Sequence, residues 1–444
     1  MGSVQIGALV LLLLCLSVLP GAAAGDASAP AVPAPASAES PEAVVGRIRS
    51  HIGTLLAAPQ LALYARHLQS VLALCEEQVL RLRFAGAHQE EQTKEAREYL
   101  LAIEAGLNDD CDRADSYLVD GRRELVLARL SRSDDTLQFC TVSLPAHWDP
   151  DKAYPLHVML HGAGPRMGLA YVNFTFLPHG SGPAKPRPEV IIVCPWMRGN
   201  RVWREDGESE NDIWEALADV KSFAKLDPDR WYISGHSMGA DDTWGLVQRT
   251  PDLWAAVGLQ SVATYAAPPE LGLIPNLSHV PFYTWVGDQD TVPGRIESSK
   301  GIGDLLSAVG GTSKFVLEPG VGHNPRGEDT AAMREWLLQH ARQRPDHFTF
   351  VMDTARHRGV WGITVPRARR FAPSLPAPHV TFECWIEGAT VRIQVTGTKQ
   401  LEVDLGPQGL GMSGTVKLIV NGKPRFEGAV PGEAVGVDLG EEGR

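Results

Sequence analysis

Gly235-His236-Ser237-Met238-Gly239 is a run in which a serine can serve as a nucleophile. Small flanking residues let the backbone turn sharply between a strand and a helix and hold the hydroxyl above a sheet edge. The context fits. The apolar stretch Trp231-Tyr232-Ile233-Ser234 precedes the run, and a helix-compatible stretch through Trp244, Leu246 and Val247 follows it and stops at Thr250-Pro251. A serine hydroxyl is a weak nucleophile near neutral pH, so it needs a histidine to take its proton and a carboxylate to fix the histidine's tautomer. Downstream, Asp290 lies just past the apolar run Phe282–Val286, and His323 lies in Gly320-Val321-Gly322-His323-Asn324-Pro325, just past Lys314–Leu317. Asp288 competes for the acid's place, but it abuts the turn residue Gly287, where a short carboxylate commonly bonds loop backbone. The expected triad is therefore Ser237, His323 and Asp290.

An acyl-transfer site also needs donors for a developing oxyanion. Leu160-His161-Gly162-Ala163-Gly164 follows the apolar run Leu156–Leu160, and its small residues let a backbone N–H approach a substrate carbonyl. Ala163, with Gly162 as the alternative, and the N–H of Met238 are the expected pair. His161 is a candidate pocket residue, as are Trp196 and Trp203 beyond the strand Val190–Cys194, where tryptophans could wall an acyl or aryl pocket or simply pack in the core. Asp241 and Asp242 in the first turn after the elbow suit the helix dipole; aimed into a pocket, they would repel anionic substrates.

These residues need a scaffold with strands ending at one edge. Strands are expected at Leu125–Arg129, Leu137–Leu144, Leu156–Leu160, Val190–Cys194, Trp231–Ser234, Ala256–Gln260, Phe282–Val286 and Lys314–Leu317. Between the later ones, helices fit Glu208–Lys225, Met238–Arg249, Arg295–Val309 and Glu328–Arg342. Strands that are apolar nearly throughout are covered on both faces, which predicts a mostly parallel α/β sheet over residues 119–344. Before it, Leu61, Tyr64, Ala65, Leu68, Val71, Leu72 and Cys75 recur at helical spacing, so residues 42–118 read as a helical hairpin. After Pro345, alternating runs such as His347–Met352, Thr381–Ile386, Val391–Val395, Leu401–Leu405 and Val416–Val420, with Asn421-Gly422 as a hairpin turn, predict a small β-sandwich to residue 444. Gly409-Leu410-Gly411-Met412-Ser413-Gly414 matches a dinucleotide fingerprint but leads into a strand, where a phosphate-binding helix is required.

Tyr154-Pro155-Leu156 through His161-Gly162, Asp227 through Gly239, Gly287-Asp288-Gln289-Asp290-Thr291-Val292-Pro293 and Gly322-His323-Asn324-Pro325 together resemble the prolyl-oligopeptidase-like and feruloyl-esterase-like group of secreted bacterial α/β-hydrolases. The resemblance covers roughly Phe139 to His340, about half the chain, and the order Ser, Asp, His agrees with it. It implies an α/β-hydrolase fold and a serine esterase acting on small or polysaccharide-linked esters of short or aromatic acids. No metal or organic cofactor is implied. The alternatives are a prolyl-oligopeptidase-type serine peptidase and a non-catalytic binding protein on a hydrolase scaffold. The helical residues before the sheet disfavour the propeller such peptidases carry. The chain departs from the group at Ala240-Asp241-Asp242, where relatives continue with glycine and small residues.

Over 444 residues, 41 Lys+Arg against 53 Asp+Glu leave a formal charge of -12, which disfavours nucleic acid and anionic membranes as partners. Residues 1–24 read as a signal peptide cleaved after Ala24, which places the mature chain outside the cytoplasm, secreted or periplasmic, and residues 25–41 as an Ala/Pro-rich tether. Among the cysteines, a Cys75–Cys111 bridge is one permitted pairing. Asn173-Phe174-Thr175 and Asn276-Leu277-Ser278 are glycosylation sequons if the source has that pathway.

Overall fold

A computed structural model of the chain describes residues 39–57, 62–83, 89–112, 124–163, 188–198, 207–264, 269, 272–366 and 380–440. The expected leader, most of the tether, Trp203 and the sequon at Asn173 lie outside the described residues. The helical region holds three helices, one more than a hairpin: α1 (Pro41–Ala57), α2 (Ala62–Leu82) and α3 (Gln89–Asp112). The first stretch ends at Ala57 and the second begins at Ala62. The helices close around Val44, Ile48, Ile52, Leu68, Leu74 and Leu100 and share this core with Val126 and Phe139 of the sheet. Cys75 is buried here as a free thiol whose titration burial pushes up, so the pairing that the sequence permitted for it is not formed.

The sheet contains β1 (Glu124–Leu130), β2 (Leu137–Ser143), β3 (Ala153–Leu160), β4 (Ile191–Pro195), β5 (Lys225–His236), β6 (Ala256–Gln260), β7 (Phe282–Gly287) and β8 (Ser313–Glu318), in the order β1-β2-β4-β3-β5-β6-β7-β8. β1 and β2 are antiparallel to their neighbours, and every pairing from β4 through β8 is parallel. Between them run α4 (Glu208–Lys221), α5 (Met238–Val247), α6 (Arg295–Ala308) and α7 (Gly327–Leu337). The helix expected to reach Lys225 stops at Lys221 because Lys225 already pairs with Ala153 in β5. Alternation along the strands sends Ile233 and Phe282 to a core shared with α4, α5 and α6, and Tyr232, Tyr283 and Trp285 to a second core with Met333 and Leu337 of α7. Helices on both faces of a mostly parallel sheet make this the α/β-hydrolase arrangement. Two outward amides of the edge strand β1 are covered: Val126 N–H donates to His67 Nδ1 (2.8 Å) and Ala128 N–H to Ser70 Oγ (2.9 Å), both side chains of α2. The helical layer thus covers part of an edge that could otherwise pair with another chain.

The C-terminal unit contains β9 (His347–Met352), β10 (Gly359–Val360), β11 (Ile363–Thr364), β12 (Val380–Glu387), β13 (Thr390–Thr396), β14 (Gln400–Val403), β15 (Thr415–Val420), β16 (Lys423–Ala429) and β17 (Val435–Asp438). They form a five-stranded and a four-stranded sheet around Phe348, Phe350, Phe382, Val391, Leu401 and Leu418. The glycine-rich run from Gly409 leads into β15, a strand, which agrees with its rejection as a nucleotide loop. The unit is bound to the α/β part by the buried pair Arg249–Asp353 (2.5 Å) and by Asn276. Asn276 donates to Gln248 O and Val351 O and accepts from Val351 N–H (2.7, 2.9 and 2.7 Å). Fully buried and saturated, Asn276 is a structural residue of the folded chain and not a glycan acceptor.

Candidate active site

The elbow closes because no side chain stands where it cannot fit. A Cβ on Gly235 would lie 2.0 Å from Gly239 O, and one on Gly239 2.3 Å from Leu160 O, so both positions require glycine. Between them Ser237 is held at φ +53°, ψ −116°, a conformation that L-residues avoid. Its N–H donates to Gln260 O at the end of β6 (2.9 Å), which fixes the corner to the neighbouring strand.

Ser237, His323 and Asp290 come together from three loops at the C-terminal edge of the sheet. His323 Nε2 lies 2.9 Å from Ser237 Oγ, and His323 Nδ1 lies 2.8 Å from Asp290 Oδ2. A carboxylate only accepts, so Nδ1 carries the proton and Nε2 presents a lone pair to the serine hydroxyl. The Asp290 carboxylate is fully buried and His323 about one-fifth exposed, which leaves the imidazole open on the serine side. Asp290 Oδ1 also accepts from Val292 N–H (2.9 Å). Asp288, the competing acid, turns away and accepts the N–H of Gly320 (2.7 Å), so it ties together the two loops that carry Asp290 and His323.

Three groups missed by sequence reasoning surround this chain. His236 Nε2–H donates to His323 O (3.0 Å), and the two rings are 5.0 Å apart. Burial pushes His236 down to about 4, so its ring is neutral at neutral pH. Ser261, also at φ +53°, donates its hydroxyl to the same His323 carbonyl (3.0 Å). Arg295, the first residue of α6, is paired with Asp241. Asp241 therefore faces a cation instead of acting only on the helix dipole or pointing into a pocket. Burial raises its carboxyl, opposed by the bonds from Arg295 and from Ala263 N–H. The signal available in sequence was the departure Ala240-Asp241-Asp242. The partner, far along the chain, was not inferable from it.

The loop after β3 lies against the nucleophile: a Cβ on Gly162 would sit 3.3 Å from that of Ser237. Ala163 next to it is exposed, and Met238 opens α5, where a first-turn N–H has no carbonyl within the helix. His161 is directed elsewhere. Its ring nitrogens meet Gly162 O (3.0 Å) and Trp196 O (2.9 Å), so it braces two loops instead of lining a pocket. Trp196 is likewise turned inward and buried. It packs edge-on against Phe139 (6.0 Å) beneath Arg81, in the core shared by the helices and the sheet. The backbone N–H of Trp196 bonds Phe139 O (3.0 Å), which turns the chain toward that core.

The chain matches no family model and no curated protein. Among solved structures it is similar to a thermostable esterase, at 22% identity over 50% of this chain and 64% of that one, with a TM-score of 0.39. It is also similar to a ferulic acid esterase (18% identity, 49% of this chain and 97% of that one, TM-score 0.39). A third is an S-formylglutathione hydrolase from Agrobacterium tumefaciens (14% identity, 49% and 94%, TM-score 0.37). These likenesses span about half of this chain and under two thirds of the thermostable esterase; they carry no argument about substrate.

Proposed function

We propose that the chain is a serine carboxylic-ester hydrolase that works through an acyl-enzyme. The observation that carries this reading is the continuous chain Ser237 Oγ, His323 Nε2, His323 Nδ1, Asp290 Oδ2, with both contacts at hydrogen-bond length. Ser237 Oγ attacks the ester carbonyl while His323 takes its proton, and Asp290 stabilises the resulting imidazolium. The N–H groups of Met238 and Ala163 hold the oxyanion. Collapse of the tetrahedral intermediate expels the alcohol, which takes the proton from His323. Water, deprotonated in turn by His323, then attacks the acyl group and restores Ser237.

Short or aromatic acyl groups are the proposed substrates. With Trp196 in the core, that preference rests on the sequence resemblance. A peptidase has less support, since the described residues before the sheet are helices and not propeller blades. The test is a panel of p-nitrophenyl esters of rising chain length, run beside methyl ferulate, acetylated xylan and a proline-containing peptide, with fluorophosphonate labelling of Ser237. Turnover of short or aromatic esters with a labelled serine is expected. Peptide cleavage without ester turnover, or an unlabelled serine, rejects the reading.

A further inference from the structure

The two serines at φ +53° belong to two corners that face each other: Ser237 supplies the hydroxyl, and Ser261 holds the carbonyl of His323. One guanidinium nitrogen reaches both. Arg295 Nη1 donates to Ser261 O at 2.8 Å, to Asp241, and more weakly to Ser237 O at 3.4 Å. Asp241 in turn accepts the N–H of Ala263 (2.6 Å), so the segment Ser261-Val262-Ala263 is gripped at its first residue by the arginine and at its last by the aspartate. Arg295 and Asp241 are both more than nine-tenths buried, and the pair joins α5, α6 and the corner after β6.

We infer that Arg295 and Asp241 form a positioning clamp for the hydrolytic site: the pair fixes the Ser261 corner, and through Ser261 the place of His323 relative to Ser237. The inference rests on the proposed roles of Ser237 and His323. Neither residue of the pair touches substrate in this account. A buried guanidinium is costly without a counter-charge, and the acid beside it supplies one. The clamp also keeps the net charge behind the histidine at zero. The ionisable groups around His323 are Asp290 on its Nδ1 side, His236 against its ring and carbonyl, and the Arg295–Asp241 pair behind the elbow. Removing the Asp241 charge leaves a cation near the imidazole and disfavours its protonated form.

The experiment compares Arg295→Gln, Arg295→Lys, Asp241→Asn and Ser261→Ala with Ser237→Ala in the full chain, reading kcat, KM and the pH dependence of kcat/KM on a short p-nitrophenyl ester. Arg295→Gln is expected to lower kcat about 100-fold with KM little changed, since a displaced base loses rate and not binding. Arg295→Lys recovers part of that loss, because all the arginine's bonds leave from a single nitrogen, which an ammonium can imitate. Asp241→Asn moves the acidic limb of kcat/KM lower by about one pH unit, a change that lost packing alone does not produce. Ser261→Ala lowers kcat by roughly tenfold through the lost bond to His323 O. If Arg295→Gln does not fold, the limb of Asp241→Asn decides. A folded Arg295→Gln with kcat within threefold of wild type, or an Asp241→Asn with an unmoved limb, overturns the clamp. Ser237→Ala separates the two levels: if it retains activity, the nucleophile assignment fails; if it is inactive while the clamp variants are normal, only the clamp fails.

Discussion

Residues with positive φ occur both at the sheet edge and in the β-sandwich, and the two regions use them differently. In the sandwich they come in pairs with a glycine: Trp361-Gly362 (φ 51° and 80°) between β10 and β11, and Asn421-Gly422 (φ 49° and 74°) between β15 and β16. Each pair is the two-residue hairpin loop whose twist matches the flanking strands, so the positive φ serves the turn. At the sheet edge, Met197 and Arg198 share a turn just past β4, while Ser237 and Ser261 stand singly at the ends of β5 and β6, and none of the four is followed within its turn by a described glycine. Buried charge sits beside the two serines in the Arg295–Asp241 pair, whereas the sandwich core is apolar. Strain that no turn requires, held by buried ions, marks the place where the chain gives up stability for geometry.

The sharpest way to test that contrast is at Ser237. Ser237→Ala is expected to lower kcat at least about a thousandfold with the fold intact. Ser237→Gly is equally inactive but more stable than the alanine variant by about 1 kcal/mol, because glycine accepts φ +53° without strain. Thermal melts of both proteins beside their ester turnover provide the check; an alanine variant with a tenth of wild-type activity removes Ser237 from the mechanism. Asp290→Asn comes next, with kcat down several hundredfold from loss of the histidine tautomer, while Asp288→Asn leaves rate nearly normal and loosens only the tie to Gly320. A severe rate defect in Asp288→Asn beside a normal Asp290→Asn reverses the two acids. On the sandwich side, Phe382→Ala empties a site packed on Phe350 and costs about 3–5 kcal/mol in denaturant titrations. The kcat of the folded fraction stays within about twofold.

Much of this site was legible in sequence because its elements are local. The elbow needs five consecutive residues, and Asp290 and His323 each follow a strand whose apolar run is visible. The strands Ala256–Gln260 and His347–Met352 fall where alternation and apolarity put them. What sequence missed depends on partners distant along the chain. Asp241 read alone suits a helix dipole, and only the fold brings Arg295 to it. Trp196 follows a strand just as a pocket residue would, but the bond of its backbone to Phe139 turns it into the core. The third N-terminal helix is not separable by periodicity alone, because the apolar spacing runs on from one helix to the next.

The smallest effect separates the two regions by pH. Burial pushes both His236, at the site, and His279, packed against Trp361 of the sandwich, down to about 4. In the unfolded chain each titrates near 6.5, so between about pH 6.5 and 4 the unfolded state binds more protons and folding stability falls as pH falls, by about 1.4 kcal/mol per pH unit for each group where it is fully linked. Above pH 6.5 neither contributes to the slope. Among the described residues neither ring nitrogen of His279 has a hydrogen-bond partner, whereas His236 holds the carbonyl of His323. His279→Gln should therefore flatten the decline in urea-unfolding stability between pH 6.5 and 4.5 and leave kcat unchanged. His236→Gln should flatten it by a similar amount and also lower kcat, by roughly tenfold or less, because the bond that seats His323 is altered. Urea titrations at several pH values, paired with turnover at pH 7.5, make the comparison. Equal kcat losses in both variants, or a slope that neither variant changes, would show that the site and the domain contact do not differ in the way their geometry indicates.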